Sequence, residues 1–300
     1  MTDLLVGLMV GLGLGATYVL IAVSYTLVLG VSGVFNFAQG TSVMLGTVLA
    51  FGFSVYFHVF WLAAIASIAA VGMIFGFITH LVAVRSVAGR LNDWAEAGIM
   101  STLGLGLAVE SIVADFFDVT PRQVPSYVSS DPVWFGNIPV QPIYICIFCV
   151  AVVVVVLLEV VMRRTAAGTL LRATLEDPQG AQVVGIRVVR VAAVVFVIAG
   201  ALSAIVGFLI APVTFASPFI GDSIGLYAFV AMGIGGFGSF GGALVGGMLV
   251  GILEGIIPVW LGPHAVVPLL FCLIVVVLAA RPVGLLGSRG YFGNEKLREV

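Results

Sequence analysis

RRTAAGTLLRATLEDPQGAQVVGIRVVR, residues 163–190, is the longest basic and polar segment in a chain that is otherwise strongly apolar. Apolar runs flank it on both sides, residues 143–162 before it and 191–211 after it. Each run is long enough to cross a bilayer as a helix, which needs about 20 apolar residues. The segment therefore reads as a loop between two spans, and the chain as a bundle of membrane helices. Inside the loop sits a helix-start signal. Asp177 can cap, because its carboxylate accepts a bond from an orphan backbone N–H. Pro178 suits the first helical position, where a missing N–H costs nothing. Gly185 can supply the left-handed stop. The expected element is a short helix over 178–184, with Glu176 and Asp177 at its positive end. Two readings of it stand: an ordinary amphipathic loop helix, or a rigid element on which a partner docks.

Composition points the same way. Of 300 residues, 61% are hydrophobic and 9% charged, with a mean hydropathy of +1.25. An ordinary globular domain carries about 25% charged residues, so a soluble chain is excluded. A transmembrane β-barrel is excluded too, because it would show short alternating segments rather than long apolar runs. The N-terminus lacks a basic region and runs on as a full span, so no cleavable signal is expected. Cys146, Cys149 and Cys272 all lie in apolar runs, where they read as packing residues and not as metal or redox ligands.

Taken in order, the first span covers about residues 4–30. Gly7, Gly11 and Gly15 repeat on one face, which lets another helix approach closely. Residues 31–42, VSGVFNFAQGTS, are polar but carry no ionised group. They read as a helix break buried at membrane depth, tolerated where protein or a water-filled cavity satisfies the freed backbone. A tight water-exposed turn is the competing reading. Apolar runs follow at 43–57 and 61–84, then a polar loop at 85–93. His58, Trp61 and His80 fall at run ends, where interfacial residues are expected. In the 95–117 span, Gly98, Ser101, Gly104, Ala108, Ser111 and Asp115 recur at steps of three or four. This small, polar face is expected to meet protein or a pathway. Glu110 and Asp115 read as interfacial. Residues 118–142 form a Pro-rich loop. After the 191–211 span comes a loop at 212–223, then a Gly-rich stretch over 221–251. With no G-K-[ST], that stretch is a poor phosphate loop. It reads as two short helices meeting at a break over 233–242, the second continuing to about 257 with Glu254 near its outer end. The last span is 266–280. Eight or nine membrane segments result, two of them Gly-rich and broken.

Orientation follows from charge. If the 85–93 loop, the 163–190 loop and the tail are cytoplasmic, every Lys and Arg except Arg122 lies inside. That bias places the N-terminus outside and the C-terminus inside.

Four stretches resemble the permease subunits of branched-chain amino-acid (Liv-type) ABC importers, the smaller permease in particular. They are GATYVLIAVSYTLVLGVSGVFNFAQG at 15–40, RATLEDPQGAQVVGI at 172–186, GIGGFGSFGGALVGG at 233–247 and RPVGLLG at 281–287. The likeness covers essentially the whole chain as one transmembrane domain. It implies a multi-pass subunit of the bacterial inner membrane, embedded in lipid and paired with a second permease. It also implies two cytoplasmic ATPases carrying ATP and Mg, and a periplasmic substrate-binding protein. No nucleic-acid partner is expected. Within the chain, the resemblance assigns Glu176, Asp177, Pro178 and Gly185 to the ATPase-coupling loop. Asn36, Gln39, Thr41, Ser42 and Ser101 are the candidate pathway residues, read from their polarity between apolar runs. Members of the family usually show NFAHG where this chain has NFAQG, so the neutral Gln39 removes a titratable group and signals a different substrate. Branched-chain amino acids lead as substrates, with urea, short amides and small carboxylates as related solutes.

The chain holds no P-loop, so it binds no nucleotide cofactor and cannot hydrolyse ATP alone. A secondary transporter with a broken-helix site is the runner-up reading, but neither break contains an acid to couple protons. An intramembrane enzyme would need a nucleophile with a base, or paired carboxylates, at membrane depth, and neither is evident.

Overall fold

The computed structural model of the chain describes residues 2–57, 61–86, 94–117, 119–129, 131–135 and 138–287. His58, most of the 85–93 loop and the charged tail beyond 287 lie outside the described residues. Eleven α-helices are described: α1 (Thr2–Ser32), α2 (Ala38–Phe51), α3 (Trp61–Ile78), α4 (Trp94–Phe117), α5 (Pro142–Arg164), α6 (Ala166–Glu176), α7 (Pro178–Val183), α8 (Val188–Thr214), α9 (Ile220–Gly235), α10 (Phe240–Leu261) and α11 (Val266–Ala280). π-helical turns extend α2 over Gly52–Phe57 and α3 over Thr79–Arg85. Among the described residues, eight helices are long and apolar enough to cross a membrane, and α9 is a ninth, shorter apolar helix. The fold is therefore all-α and polytopic. The only strands described, β1 (Val133–Phe135) and β2 (Ile138–Val140), form a small antiparallel hairpin in the Pro-rich loop.

The chain divides into two compact units. One comprises residues 27–127 and 152–225, the other residues 1–26, 128–151 and 226–300; three of the four divisions fall inside α1, α5 and α9, and the fourth in the loop before α5.

In the first unit α8 is the central helix, with α2 and α3 against it. Small residues set that packing. A Cβ on Gly72 would lie 2.5 Å from the Gly200 carbonyl oxygen, and one on Gly207 would come 3.0 Å from Gly46 Cα. The backbones touch, so dispersion and close fit hold the helices together where apolar burial alone gives little drive in lipid. The loop before α5 is anchored through Arg122. Its backbone pairs with Ala216 in both directions, at 2.9 and 2.8 Å. Its guanidinium lies over the rings of Phe117 (4.9 Å) and Phe51 (5.5 Å), a favourable cation–π placement.

In the second unit α1 and α10 run antiparallel with their glycine faces together. Gly7 meets Gly255, Gly11 meets Gly251, and Gly15 meets Met248. Gly236 (φ 123°) and Gly238 (φ 74°) turn the chain between α9 and α10, and the Ser239 hydroxyl caps α10 by accepting from Gly242 N–H at 3.0 Å. The RPVGLLG segment docks here: Leu285 N–H donates to Ile234 O and Leu286 N–H to Gly235 O, filling carbonyls orphaned at the end of α9.

Several boundaries differ from the sequence reading. The expected 212–223 loop is shorter, because α8 runs to Thr214 despite Pro212 and α9 begins at Ile220. A proline this close to a C-terminus removes one bond in the last turn only. Asp222 sits in the first turn of α9, where a carboxylate suits the helix dipole. α10 is not short: it continues through Pro258 to Leu261, 22 residues in all.

Candidate functional site

Between α1 and α2 the chain breaks at Gly33 (φ 67°) and restarts at Ala38. Asn36 takes the capping role there, its Oδ1 accepting from Ala38 N–H at 3.1 Å. Its amide donates to Gln39 Oε1 at 3.1 Å. Gln39 Nε2 in turn donates to the Ala199 carbonyl and to Ser203 Oγ, both at 2.7 Å. Gln39 is 1% exposed and Ser203 fully buried. The network thus clamps the break to α8, with both amide hydrogens of Gln39 and its oxygen used. Thr41 and Ser42 are buried as well; Thr41 Oγ1 lies where a Cβ on Gly106 of α4 would meet it at 2.9 Å. In this conformation Gln39 spends its hydrogen-bonding capacity on protein. A His there could not make both donations from one ring nitrogen. Gln39→Ala should cost ~2–3 kcal/mol, because it leaves a buried Asn36 N–H and the Ser203 hydroxyl without that partner. The check is thermal unfolding in detergent: an unchanged midpoint would mean the clamp contributes nothing.

Of the expected small face of α4, only Gly98 is buried within the chain. Gly98, Thr102, Gly106 and Glu110 are buried, at a regular step of four, while Gly104, Ala108, Ser111 and Asp115 are exposed. The inward face is set by α2 and by the π-turn after α3, which meet α4 there. Thr102 docks the break, its Oγ1 accepting from Phe37 N–H at 3.2 Å. Ser101, next along, is half-buried and bonds back to Gly98 O. The structure therefore joins Asn36 and Gln39 directly, sets Thr41 and Ser42 beside them on α2, and leaves Ser101 on the flank of α4. Glu110 is buried, contrary to the interfacial reading.

The 163–190 loop holds two helices. α7 has the expected ends: Asp177 Oδ1 accepts from Gln179 N–H at 3.0 Å, and Pro178 opens the helix. At the other end Gly185 (φ 88°) forms a Schellman stop, with Ile186 N–H on Ala181 O at 2.9 Å and Gly185 N–H on Gln182 O at 3.0 Å. α6 was not anticipated. Thr165 caps it by accepting from Gly168 N–H at 3.0 Å, and Leu175 fills the space left by the missing side chain of Gly30. Glu176 and Asp177 are exposed at the α6–α7 junction. Ala181 faces inward, while Val183 and Val184 are 87% and 76% exposed, so α7 ends in an apolar tip.

A second polar group escaped the sequence reading. Glu254 lies on the face of α10 that carries Val250 and Ile257, both buried. Side chains lean toward the N-terminus of their own helix. In the antiparallel α1–α10 pair, Tyr18 and Glu254 therefore lean toward each other, and the Tyr18 hydroxyl donates to Glu254 Oε2 at 2.5 Å. Tyr227 of α9 meets Tyr18 edge to face at 5.5 Å. Tyr144 of α5 lies over Gly13, where any side chain would collide with its ring. Spacing offered one signal: Tyr18 continues the glycine face of α1.

Comparison with known proteins fits this architecture. Residues 7–280 match the family described as branched-chain amino acid transport system, permease component. The high-affinity branched-chain amino acid transport system permease protein BraD of Pseudomonas aeruginosa is 31% identical over 292 residues, covering 92% of this chain and 94% of BraD. LivH of Salmonella typhimurium, a permease protein of the same description, is 30% identical over 292 residues, covering 92% of this chain and 93% of LivH. With eight helices long and apolar enough to cross a membrane among the described residues, and a match across nearly its whole length, the chain belongs to the permease components of branched-chain amino-acid transport systems and is a multi-pass inner-membrane protein.

Proposed function

We propose that this chain is the translocation subunit of an ATP-driven importer whose substrate is a branched-chain amino acid or a chemically related small solute. The observation that carries the reading is the family match over residues 7–280. In this proposal a second permease completes the channel, a periplasmic binding protein delivers substrate, and two cytoplasmic ATPases supply ATP hydrolysis. The chain catalyses no reaction itself. Arg163 and Arg164 end α5, Arg172 lies on α6, Arg187 immediately precedes α8 and Arg190 is in its first turn, a cluster that supports a cytoplasmic position for this segment and an outside N-terminus. Glu176, Asp177, Pro178 and Gly185 then define a short rigid element for an ATPase groove, with Val183 and Val184 as its apolar contact. The chain purified alone should show no ATP hydrolysis, and hydrolysis should appear when the partner ATPases are added. Turnover by the isolated chain would overturn the assignment.

The break between α1 and α2 borders the pathway in this proposal. Asn36 and Gln39 shape it, and Thr41, Ser42 and Ser101 become accessible as the subunit changes state. Single cysteines at these five positions should react with small water-soluble thiol reagents to an extent that depends on bound nucleotide. Equal protection in every nucleotide state would make the break a packing element.

A further inference from the structure

Glu254 is half-buried on the face of α10 that carries Val250 and Ile257, and no Lys, Arg or His among the described residues lies within ion-pair distance of it. A carboxylate at membrane depth is costly unless something compensates it. Tyr18 compensates in part, through Oε2 only; Oε1 has no hydrogen-bond partner among the described residues. Three phenol rings from three other helices gather on this part of α1: Tyr18 bonds the carboxylate, Tyr227 on α9 meets Tyr18 at 5.5 Å, and Tyr144 on α5 packs on α1 at Gly13. A helix-to-helix lock would need none of the last two, and α1 and α10 are already joined by touching glycine backbones. One acceptor oxygen with spare capacity and several aromatic faces is the chemistry that recognises an organic ammonium.

We infer that Glu254, with Tyr18, Tyr144 and Tyr227, receives the primary ammonium group of a small apolar substrate on its way through the subunit. This rests on the import reading and assigns the end of the substrate that the chain itself recognises. The ammonium bonds to Glu254 Oε1, and the rings cover its remaining faces.

The test uses the complete importer in detergent and two probes that divide leucine in half: isopentylammonium, which lacks the carboxylate, and 4-methylpentanoate, which lacks the ammonium. Equilibrium dialysis should find isopentylammonium bound by the wild type. Glu254→Gln keeps an acceptor for Tyr18 and should weaken this binding on the order of 30-fold or more, as expected when one partner of a buried charge pair is neutralised. Glu254→Asp keeps the charge and should retain most of it, while Tyr227→Leu should weaken it several-fold. Binding of 4-methylpentanoate should not change in Glu254→Gln. Absence of isopentylammonium binding in the wild type, or equal binding in Glu254→Gln, would overturn the inference and leave the pair as a helix lock. If Glu254→Gln does not assemble, the Tyr227→Leu result decides: unchanged amine binding overturns the site. ATP-driven leucine uptake by the wild type, measured in parallel, judges the substrate reading separately; lack of uptake alongside intact amine binding would count against that reading and for this site.

Discussion

Gly251→Leu should leave little folded protein. A Cβ at this position would lie 2.6 Å from the Gly11 carbonyl oxygen and closer still to the backbone of Gly15. Both obstacles are main chain, so no side chain can swing aside. α1 and α10 would have to separate along the whole Gly7–Gly255 to Gly15–Met248 seam, at a cost of ~3 kcal/mol or more. Because helix association in lipid depends on this close fit rather than on water exclusion, the loss cannot be recovered by burial elsewhere. Size-exclusion profiles and thermal unfolding in detergent measure it. Gly52, which has no atom within 4 Å of a built Cβ, provides the control: Gly52→Ala should behave as wild type. A monodisperse Gly251→Leu protein with an unchanged unfolding midpoint would mean the seam is not tightly packed.

Gly185→Val should insert and fold but transport poorly. Residue 185 has open space around it, so the whole effect is conformational. Its φ of 88° costs a non-glycine residue roughly 1–2 kcal/mol, and more for a β-branched one. The cheapest escape is to unwind the Schellman stop, which frees the last turn of α7. Asp177→Ala attacks the other end of the same helix and should lose about 1 kcal/mol of local stability. Neither change touches a span, so membrane insertion should be normal. Weakened ATPase association, or hydrolysis that no longer drives uptake by a factor of ten or more, is the expected outcome for Gly185→Val. Normal assembly and coupling would make α7 an ordinary connector.

The spans and α7 were legible because their signals are local. Long apolar runs have one reading in a chain this poor in charge, and the Asp177–Pro178 start and Gly185 stop each act on their immediate neighbours. What was not legible depends on partners distant in sequence. α4 carries two stripes of small residues, and only the position of Val34, Ala38 and Thr41 against Gly98 and Gly106 decides which faces inward. α6 was obscured by its arginine and threonines, although Thr165 and Gly168 form a cap. Arg122 looked like a stray external charge, yet its aromatic partners Phe51 and Phe117 come from α2 and α4. Glu254 looked terminal because the second helix was read as ending near 257, and its partner Tyr18 is 236 residues away. Among the pathway candidates, the polarity of Asn36 and Gln39 was visible, but their mutual hydrogen bond and the clamp on α8 were not.

The central claim is that this chain carries an amino acid across the membrane only when hydrolysis is transmitted to it from partner subunits. Uptake of labelled leucine into proteoliposomes containing the chain with its second permease and ATPases tests this most directly. Accumulation that requires both ATP and the binding protein, survives dissipation of ion gradients, and falls away in Gly185→Val while hydrolysis continues is the predicted result. Leucine uptake driven by an ion gradient without ATP, or full coupling in Gly185→Val, would contradict it.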